Sequence, residues 1–424
     1  MTVDRGPSEM TAHTTPPQGP DPHRADVVIS GGGVAGLAAA AAFGTAGFSV
    51  ICIEPDAPAT TEADPRADLR STAFLQASIP VLDRAGLWAR LAQFATPLQV
   101  MRIVDAGGER ADEARLTREF DAADLSDQPF GWNLPNWLLR REMVARLAEL
   151  PNVDFRAGVS TTKLFTREAE ARVTLSDGAQ IITKLVIAAD GRNSPMREAA
   201  GITVSRTDYG QKALAFAVTH DLPHENISTE IHRSGGPFTF VPLPDRPQED
   251  GSVKPASAVV WMERAAEADR LAALPVAEFE AAMQSRSTGL LGQLRLETRR
   301  SLWPMVTQLA ERFNGQRVAL MAEAAHVIPP IGAQGLNMSL ADLGCLLDLA
   351  TARPEGLGDA QMLESYHRKR WFEVRAREFG IDLLNRASMM EARPLRDLRA
   401  GVLGAMYGIK AVRKTLMRAG IGVR

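Results

Sequence analysis

The spacing of hydrophobic residues changes along the chain. An apolar run at 27–29 precedes an alanine-rich stretch at 34–46, a pattern typical of a buried parallel strand and the helix after it. This strand–helix alternation continues to about residue 201, interrupted by a polar stretch at 107–127. Between 209 and 303 apolar and polar residues alternate with period two, which indicates strands of an antiparallel sheet. After residue 314 the pattern returns to one strand and one helix, and the chain ends in helices.

These patterns predict an α/β fold with a Rossmann-like domain, a second domain built on an antiparallel sheet, and a helical C-terminus. The Rossmann-like domain is predicted in two parts, because its last strand and helix follow the second domain. The predicted divisions are a disordered tail at 1–24, the first domain at 25–205, the second domain at 206–305, the return to the first domain at 306–352, and C-terminal helices at 353–424.

Composition narrows the class of protein. The 424 residues are 45% hydrophobic and carry a net charge of -3, which argues against a nucleic-acid binder. Cys52 and Cys345 are too few for a disulfide framework or a metal cluster, so we expect a reducing cytoplasm and no metal. The chain has no run of about 20 apolar residues that could span a bilayer. Residues 1–24 lack the apolar stretch of a signal peptide and are predicted to be disordered.

Glycines follow the first strand at the spacing of a dinucleotide-binding turn. Gly31 permits a tight turn, Gly33 lets the backbone approach a pyrophosphate, and Gly36 allows the helix to pack on the strand. The helix N-terminus offers N–H groups and the positive end of its dipole to phosphates. The next strand ends at Glu54, which can accept a hydrogen bond from a ribose hydroxyl. A structural glycine turn is the alternative. The predicted dinucleotide contacts are Gly31, Gly33, Val34, Ala35, Gly36 and Glu54.

Two later segments also have features expected of the same dinucleotide site. Asp190 and Gly191 follow the apolar strand 185–189, and Ser194 is placed to cap a helix that has Arg197 in its first turn. An ordinary strand end explains an Asp-Gly pair equally well. The third segment, 317–337, has a buried strand at 318–321, a Pro-Pro pair, and a helix that opens at Gly335.

In this order the segments 26–36, 185–192 and 317–337 resemble the fingerprints of the flavin-dependent aromatic hydroxylases, which have a para-hydroxybenzoate hydroxylase-like fold. Residues 325–337, which read AHVIPPIGAQGLN, are similar to the ubiquinone-biosynthesis hydroxylases in particular. The resemblance extends from Asp26 to about Asn385. It implies that the first domain binds FAD.

The resemblance also assigns roles to individual residues. It places Asp190 near the flavin pyrophosphate, Arg70 near the flavin nucleotide, and Asn136 at a polar cofactor contact. Trp137 stands where these proteins often have arginine, and we expect Arg141 to serve in its place. The usual Gly-Asp pair is replaced by Ala322-Glu323, with Glu323 expected to contact the ribityl chain. The backbone of Gly335, Leu336 and Asn337 is expected to contact the isoalloxazine. His326 is expected to pack in the fold, with a role as catalytic base as the alternative.

The implied activity is hydroxylation of the ring of a polyprenylated phenol by FAD, with NADH or NADPH as a transient co-substrate and dioxygen forming a flavin C4a-hydroperoxide. The cofactor carries the chemistry, so no catalytic side chain is assigned. One alternative is a related flavoprotein hydroxylase or oxidoreductase acting on another aromatic or prenyl substrate. The other is a non-catalytic lipid-binding member of a ubiquinone-biosynthesis complex, which predicts no flavin that nicotinamide can reduce.

Two groups of residues suggest substrate and membrane contacts. A ring pocket could be formed by aromatic and proline side chains, although ordinary sheet core explains those on strands: Phe238, Phe240, Pro242, Trp261 and Pro330. Near the end of the chain, basic residues are interleaved with apolar ones, which fits a peripheral membrane helix or a solvated helix. The basic residues are Arg393, Arg396, Arg399, Lys410, Arg413, Lys414, Arg418 and Arg424.

Overall fold

The computed structural model describes residues 21–388, apart from 22, 107–115, 234 and 249. Most of the predicted tail and the basic segment from 389 onward lie outside the described residues.

The strands, in chain order, are β1 Arg24–Ser30, β2 Val50–Glu54, β3 Ser71–Leu75, β4 Thr96–Leu98, β5 Val100–Asp105, β6 Leu116–Asp121, β7 Gly131–Pro135, β8 Val153–Ala157, β9 Thr161–Thr166, β10 Ala171–Leu175, β11 Gln180–Ala188, β12 Val204–His220, β13 Ile227–His232, β14 Pro237–Pro247, β15 Val253–Arg264, β16 Leu294–Leu296, β17 Ser301–Ala310, β18 Asn314–Gly315, β19 Val318–Leu320 and β20 His326–Val327. The helices are α1 Val34–Thr45, α2 Ile79–Arg84, α3 Trp88–Leu91, α4 Asn136–Ala148, α5 Pro195–Ala199, α6 Ala265–Ala273, α7 Val276–Arg286, α8 Gln334–Ala352 and α9 Ala360–Ser388.

The first domain, here called the nucleotide domain, has a sheet in the order β18-β19-β11-β1-β2-β8, with β9 and β10 added beside β11. Strand β1 lies parallel to both β2 and β11, and β11 lies parallel to β19. Helix α1 is buried along most of its length, because its alanines let it pack closely on this sheet. The carboxyl ends of β1, β2, β11 and β19 therefore meet at one edge, where ligands bind in sheets of this kind.

The second domain is a sheet in the order β20-β17-β12-β15-β14-β13-β5-β6, with β16 paired to β12. Two predicted boundaries need correction. Strands β5 and β6 come from the segment 25–205 but belong to this sheet, since β5 pairs in parallel with β13 from Val100↔Ile227 to Asp105↔His232. Strand β17 also continues the sheet to Ala310, beyond the predicted end at 305. Pairing of β5 covers the edge that β13 would otherwise expose.

The two faces of this second sheet carry different side chains, as the period of two along each strand requires. Leu214, Phe216 and Val218 of β12 pack with residues of α6 and α7 in one hydrophobic cluster. The alternate residues of the same strand are small, and they are also buried: Ala213, Ala215 and Ala217. A third sheet, in the order β3-β7-β4, contacts β14.

Helices α8 and α9 pack on each other and close the fold. None of the described helices is both long enough and apolar enough to cross a bilayer.

Candidate functional site

The glycine turn after β1 has the shape that the sequence predicts. Gly31 has φ +103°, and a side chain there would overlap the carbonyl oxygen of Ala189. A side chain at Gly36 would overlap the carbonyl oxygen of Gly31, so both glycines are required by packing. At Gly33 the situation is different, because a Cβ built there meets no described atom within 4 Å. The backbone is therefore open to a ligand at Gly33.

Helix α1 begins beside this open backbone. Its N-cap is Gly33, which has no side chain to form a capping hydrogen bond, and its first turn has no acidic residue. The first N–H that bonds back along the helix is that of Leu37, which donates to Gly33 O at 2.9 Å. The N–H groups of Val34, Ala35 and Gly36 have no intrahelical carbonyl to reach, as at every helix start. They leave a positive dipole end for an anion.

Glu54 lies at the end of β2, as predicted, and its Oε2 accepts the N–H of Gly32. The side chain is partly buried, and a Cβ at Gly32 would meet the Cβ of Glu54 at 2.7 Å. The glycine turn and the carboxylate are therefore packed directly against each other.

Asp190 supplies an unpaired carboxylate oxygen beside the turn. Its Oδ2 accepts from the Ser30 hydroxyl at 3.0 Å and from the Met196 N–H at 3.2 Å. Its Oδ1 is buried and has no partner in the described structure, and burial raises the pKa of this carboxyl. Behind it, Ser194 caps α5 by accepting the Arg197 N–H at 3.0 Å, as predicted. An orphaned buried oxygen beside an uncapped helix fits the polar part of a dinucleotide.

Glu323 reaches the turn that carries Asp190. It lies in the 3-10 turn Ala322–Ala324, and its Oε2 is 3.3 Å from Nε of Arg192. The carbonyl of Arg192 in turn accepts from Arg197 Nη1 at 2.9 Å and from Gln308 Nε2 at 2.8 Å. The second and third sequence segments are thus joined at this ion pair, while a ribityl contact of Glu323 stays a prediction.

Arg70 is held by a carboxylate and an aromatic ring. Its Nε and Nη2 donate to Asp68 at 2.8 and 2.6 Å, and its guanidinium carbon lies 5.3 Å from the centroid of the Trp303 ring. Asn136 donates to Asp68 at 2.9 Å and accepts from the Thr72 hydroxyl at 2.7 Å. Burial opposes ionisation of Asp68, but its bonds to Arg70 and Asn136 hold its pKa below the usual value. The Asn136 side chain therefore anchors the loop that carries Arg70.

Arg141 lies on α4 together with Trp137, the position whose usual arginine it is expected to replace. Its guanidinium carbon is 5.5 Å from the Trp137 ring centroid, and its Nε donates to Glu142 at 2.9 Å. These contacts account for the charge of Arg141, and a cofactor role for it stays a prediction.

The start of α8 presents backbone groups. Ala333 is its N-cap, with φ +56° and no capping side chain, and Gly335 is exposed. The Asn337 amide has all four of its hydrogen bonds within the protein, which fix α8 against β3 and the turn after it. It donates to the carbonyls of Ala73 and Ala333 and accepts from Leu75 N–H and Ser78 Oγ. The side chain of Asn337 is thus committed to the protein, and a contact of the Gly335, Leu336 and Asn337 backbone with a flavin ring stays a prediction.

His326 is part of a buried charge network. Its Nε2 lies 2.6 Å from Oδ2 of Asp342, whose Oδ1 accepts from Arg370 Nε at 2.7 Å. The imidazole and the carboxylate are both buried, and His326 Nδ1 has no partner in the described part of the chain. This placement supports packing rather than catalysis for His326.

The aromatic residues proposed for a ring pocket lie in a packed core. Phe238, Phe240 and Trp261 are at most 3% exposed, and the rings of Phe240 and Trp261 lie 5.0 and 5.3 Å from that of Phe238. Trp261 also lies 6.0 Å from Phe279 of α7. They occupy the helix-covered face of the second sheet, so the sheet-core alternative describes them. Pro242 is buried and accepts a hydrogen bond from Asn133, whereas Pro330 is exposed.

The opposite face of that sheet was missed by sequence reasoning. It carries a cluster built from Ala213, Met262 and Met305, with Tyr209, Val260 and Trp303 packed around it. Because Trp303 contacts Arg70, this face looks toward the nucleotide domain. The period of two separates the faces in the sequence, and only the covering helices decide which one is turned away.

This chain is similar to known proteins over most of its length. The family model described as "FAD binding domain" matches residues 24–377. Ubiquinone hydroxylase UbiL of Rhodospirillum rubrum is 31% identical over 401 residues, which cover 94% of this chain and 90% of that protein. The 3-demethoxyubiquinol 3-hydroxylase of Escherichia coli is 29% identical over 390 residues, covering 91% and 95%. The crystal structure of p-nitrophenol 4-monooxygenase PnpA from Pseudomonas putida has a TM-score of 0.75 at 20% identity, covering 95% and 99%.

Proposed function

Since this chain belongs to the FAD binding domain family and, within it, to the ubiquinone hydroxylases, we propose that it hydroxylates the ring of a polyprenylated phenol in ubiquinone biosynthesis. It is an FAD-dependent monooxygenase, with NADH or NADPH as the reductant and dioxygen as the second substrate. The relatives named for ubiquinone hydroxylation are aligned over at least nine-tenths of this chain, which supports the substrate class.

The observation that carries the proposal is the set of unsatisfied groups at the sheet edge. The open backbone at Gly33, the uncapped start of α1 and the orphaned Oδ1 of Asp190 lie at neighbouring strand ends. Phosphate, ribose and ring would be held by α1, Glu54 and the start of α8 respectively. A structural glycine turn would not require an uncapped helix beside an unpaired carboxylate.

When bound, FAD accepts hydride from the nicotinamide and activates dioxygen for transfer to the phenol ring. The chain's own residues would bind the cofactor, orient the phenol ring and exclude water. The positive end of α8 would favour negative charge on the adjacent ring of the cofactor. Arg70, paired with Asp68 and lying beside the Trp303 ring, is held at the border of the two domains. The apolar face with Met262, Met305 and Val260 would shield the reacting ring from water.

The membrane and complex contacts expected from the sequence form part of the proposal. A polyprenylated substrate partitions into a bilayer, and residues 389–424 carry eight Lys or Arg and two acidic residues, a net formal charge of +6. We expect a cytoplasmic protein that is peripheral at the inner face of the membrane. Membership of a ubiquinone-biosynthesis complex would show as co-purification with other enzymes of that route.

The test is the visible spectrum of the purified protein, followed anaerobically while NADH or NADPH is added with and without a prenylated phenol. We expect flavin bands that bleach faster with the phenol present, and ¹⁸O from ¹⁸O₂ in the product. Bleaching without oxygen transfer would favour the oxidoreductase alternative. A protein that stays colourless after FAD is supplied would contradict the enzyme and favour the non-catalytic lipid-binding alternative.

A further inference from the structure

Helix α9 has one face that fixes the flavin-site helix. Arg370 Nε donates to Asp342 Oδ1 of α8 at 2.7 Å, and seven residues later Arg377 Nη1 donates to Gln334 Oε1 at 2.9 Å. Gln334 is the first residue of α8, next to the exposed Gly335. Two turns of α9 are therefore tied to the helix whose N-terminus faces the proposed flavin ring.

The opposite face of α9 is apolar and exposed. Phe372 and Phe379 are 72% and 71% exposed, more than any other large hydrophobic side chain in the described part of the chain. They too are seven residues apart, so they share one face of the helix. At 3.6 residues per turn, residues two positions apart point in nearly opposite directions, so Phe372 and Phe379 lie across the helix from Arg370 and Arg377.

Basic side chains flank the two phenylalanines. Arg368 and Arg375 precede them by four residues each, and Lys369 and Ala376 border the same surface. Arg368, Lys369 and Arg375 are exposed, whereas the acidic residues of α9 between 360 and 382 are partly exposed. Of these acidic residues, Glu378 pairs with Arg375 at 2.9 Å, which leaves Arg368 and Lys369 as the main source of positive charge. We call Arg368, Lys369, Phe372, Arg375 and Phe379 the α9 stripe.

The positive charge of the α9 stripe indicates which kind of partner it binds. A second copy would bring the same cations face to face, which costs free energy. Residues 389–424, which follow α9 directly, have a net formal charge of +6, so they are poorly matched to it as well. An anionic lipid surface is matched on both counts, because phenylalanine side chains enter the headgroup boundary while lysine and arginine remain among the lipid phosphates.

We propose that the α9 stripe docks this protein on an anionic lipid bilayer. The inference deepens the proposed function in that a polyprenylated substrate would be found in such a bilayer. Docking through α9 would set the distance of the flavin site from the membrane, since the same helix holds α8 through Arg370 and Arg377.

The experiment is co-sedimentation of the full-length protein with vesicles of neutral phosphatidylcholine, or of phosphatidylcholine containing about a third phosphatidylglycerol. The test variant is F372S/F379S, and a second variant, R368Q/K369Q/R375Q, removes the charges alone. The matched control is F165S. Phe165 is 56% exposed on β9, and the Arg167 guanidinium lies 5.3 Å from its ring centroid, so its chemistry is the same at a different place.

We expect wild type and F165S to bind anionic vesicles and to leave neutral ones in solution. The partition coefficient of F372S/F379S should fall by roughly tenfold or more, because two aromatic rings that would enter the bilayer are lost. The charge variant should bind less as well, and added salt should weaken wild-type binding. Each variant should keep the wild-type flavin content and the same rate with a short, soluble phenol.

Two results would overturn the proposal. Equal vesicle binding by wild type and F372S/F379S would assign the membrane contact to another surface, residues 389–424 included. An absence of vesicle binding by wild type would exclude a bilayer, and a change of mass in light scattering caused by F372S/F379S would then identify a second copy as the partner. The proposed function fails separately, through a protein that binds vesicles but has no flavin reducible by nicotinamide.

Discussion

At the scale of single residues, substitutions at Gly33 and Gly36 would distinguish a cofactor site from a structural turn. Gly33 has φ -66° and ψ 176°, a conformation open to any residue, and free space around it. We expect Gly33→Ala to leave the unfolding free energy of the apoprotein within about 0.5 kcal/mol of wild type. If the pyrophosphate lies against Gly33 as predicted, the added methyl group would take up its space, and FAD affinity should fall by about tenfold or more, a loss of roughly 1.4 kcal/mol.

The measurements are thermal unfolding of the apoprotein and titration with FAD followed by flavin fluorescence. Gly36→Ala is the contrast, because its methyl group would overlap the carbonyl of Gly31 and should destabilise even the apoprotein by about 1–3 kcal/mol. FAD binding by Gly33→Ala with wild-type affinity would mean that the turn is structural.

Residues with local roles could be predicted from the sequence, and those with distant partners could not. Ser194 caps the helix that begins at the next residue by accepting an N–H three residues away, and Glu54 ends the strand that follows the glycine turn. The side chain of Asn337 instead bonds to Leu75, 262 residues earlier, and that of Asn136 bonds to Asp68. The sequence therefore pointed to these asparagines through a resemblance, while the structure shows that their side chains anchor loops.

At the scale of elements, α8 and α9 are joined by the buried Asp342. Burial disfavours its ionised form, yet the charges of His326 and Arg370 keep the pKa of Asp342 below its usual value. A carboxyl with a lowered pKa in the folded state stabilises the protein above its unfolded pKa, near 4, and loses that contribution as pH falls through the folded value. Asp342 should thus matter at neutral pH and cease to matter in acid.

We expect Asp342→Asn to lower the unfolding free energy by about 3–5 kcal/mol at pH 7, because His326 and Arg370 lose the buried carboxylate that they share and Arg370 keeps only the partly exposed Glu373. Urea unfolding at pH 7 and at successively lower pH would show the gap between variant and wild type narrowing below about pH 4. The control is Asp348→Asn on the same helix, since Asp348 forms an exposed pair with Arg84 and should change little. A gap that stays constant into acid would show that the charge of Asp342 is not the cause.

The second sheet shows where element patterns stop being informative. Alternation along 209–303 predicted its central strands, and the structure has them as β12, β14 and β15. It did not predict that β5, about 120 residues before β13, pairs with that strand, because an apolar strand is compatible with either sheet. For the same reason Phe238, Phe240 and Trp261 could be assigned to strands but not to the helix-covered face.

At the scale of the whole molecule, the two domains are joined by side chains that reach across to backbone carbonyls. Asn133 of the third sheet donates to Pro242 of the second domain at 2.8 Å, and Arg299 donates to the carbonyl of Ala67. Gln308 of β17 donates to the carbonyl of Arg192, which belongs to the Asp190 turn. The second domain thus contacts the turn that carries Asp190, and these contacts depend on the assembled fold.

Gln308→Ala should therefore weaken FAD binding from outside the nucleotide domain. The Arg192 carbonyl keeps its bond from Arg197 but loses the one from Gln308, which is worth about 1 kcal/mol. If that energy holds the turn in place for the cofactor, FAD affinity should fall by about fivefold, measured by titration of the apoprotein. Gln284→Ala is the matched control, because Gln284 donates to the Gly292 carbonyl at 2.9 Å wholly within the second domain. Both variants should unfold at a lower temperature than wild type, and only Gln308→Ala should bind FAD more weakly. Equal FAD affinities in the two variants would mean that the second domain covers the flavin site without shaping it.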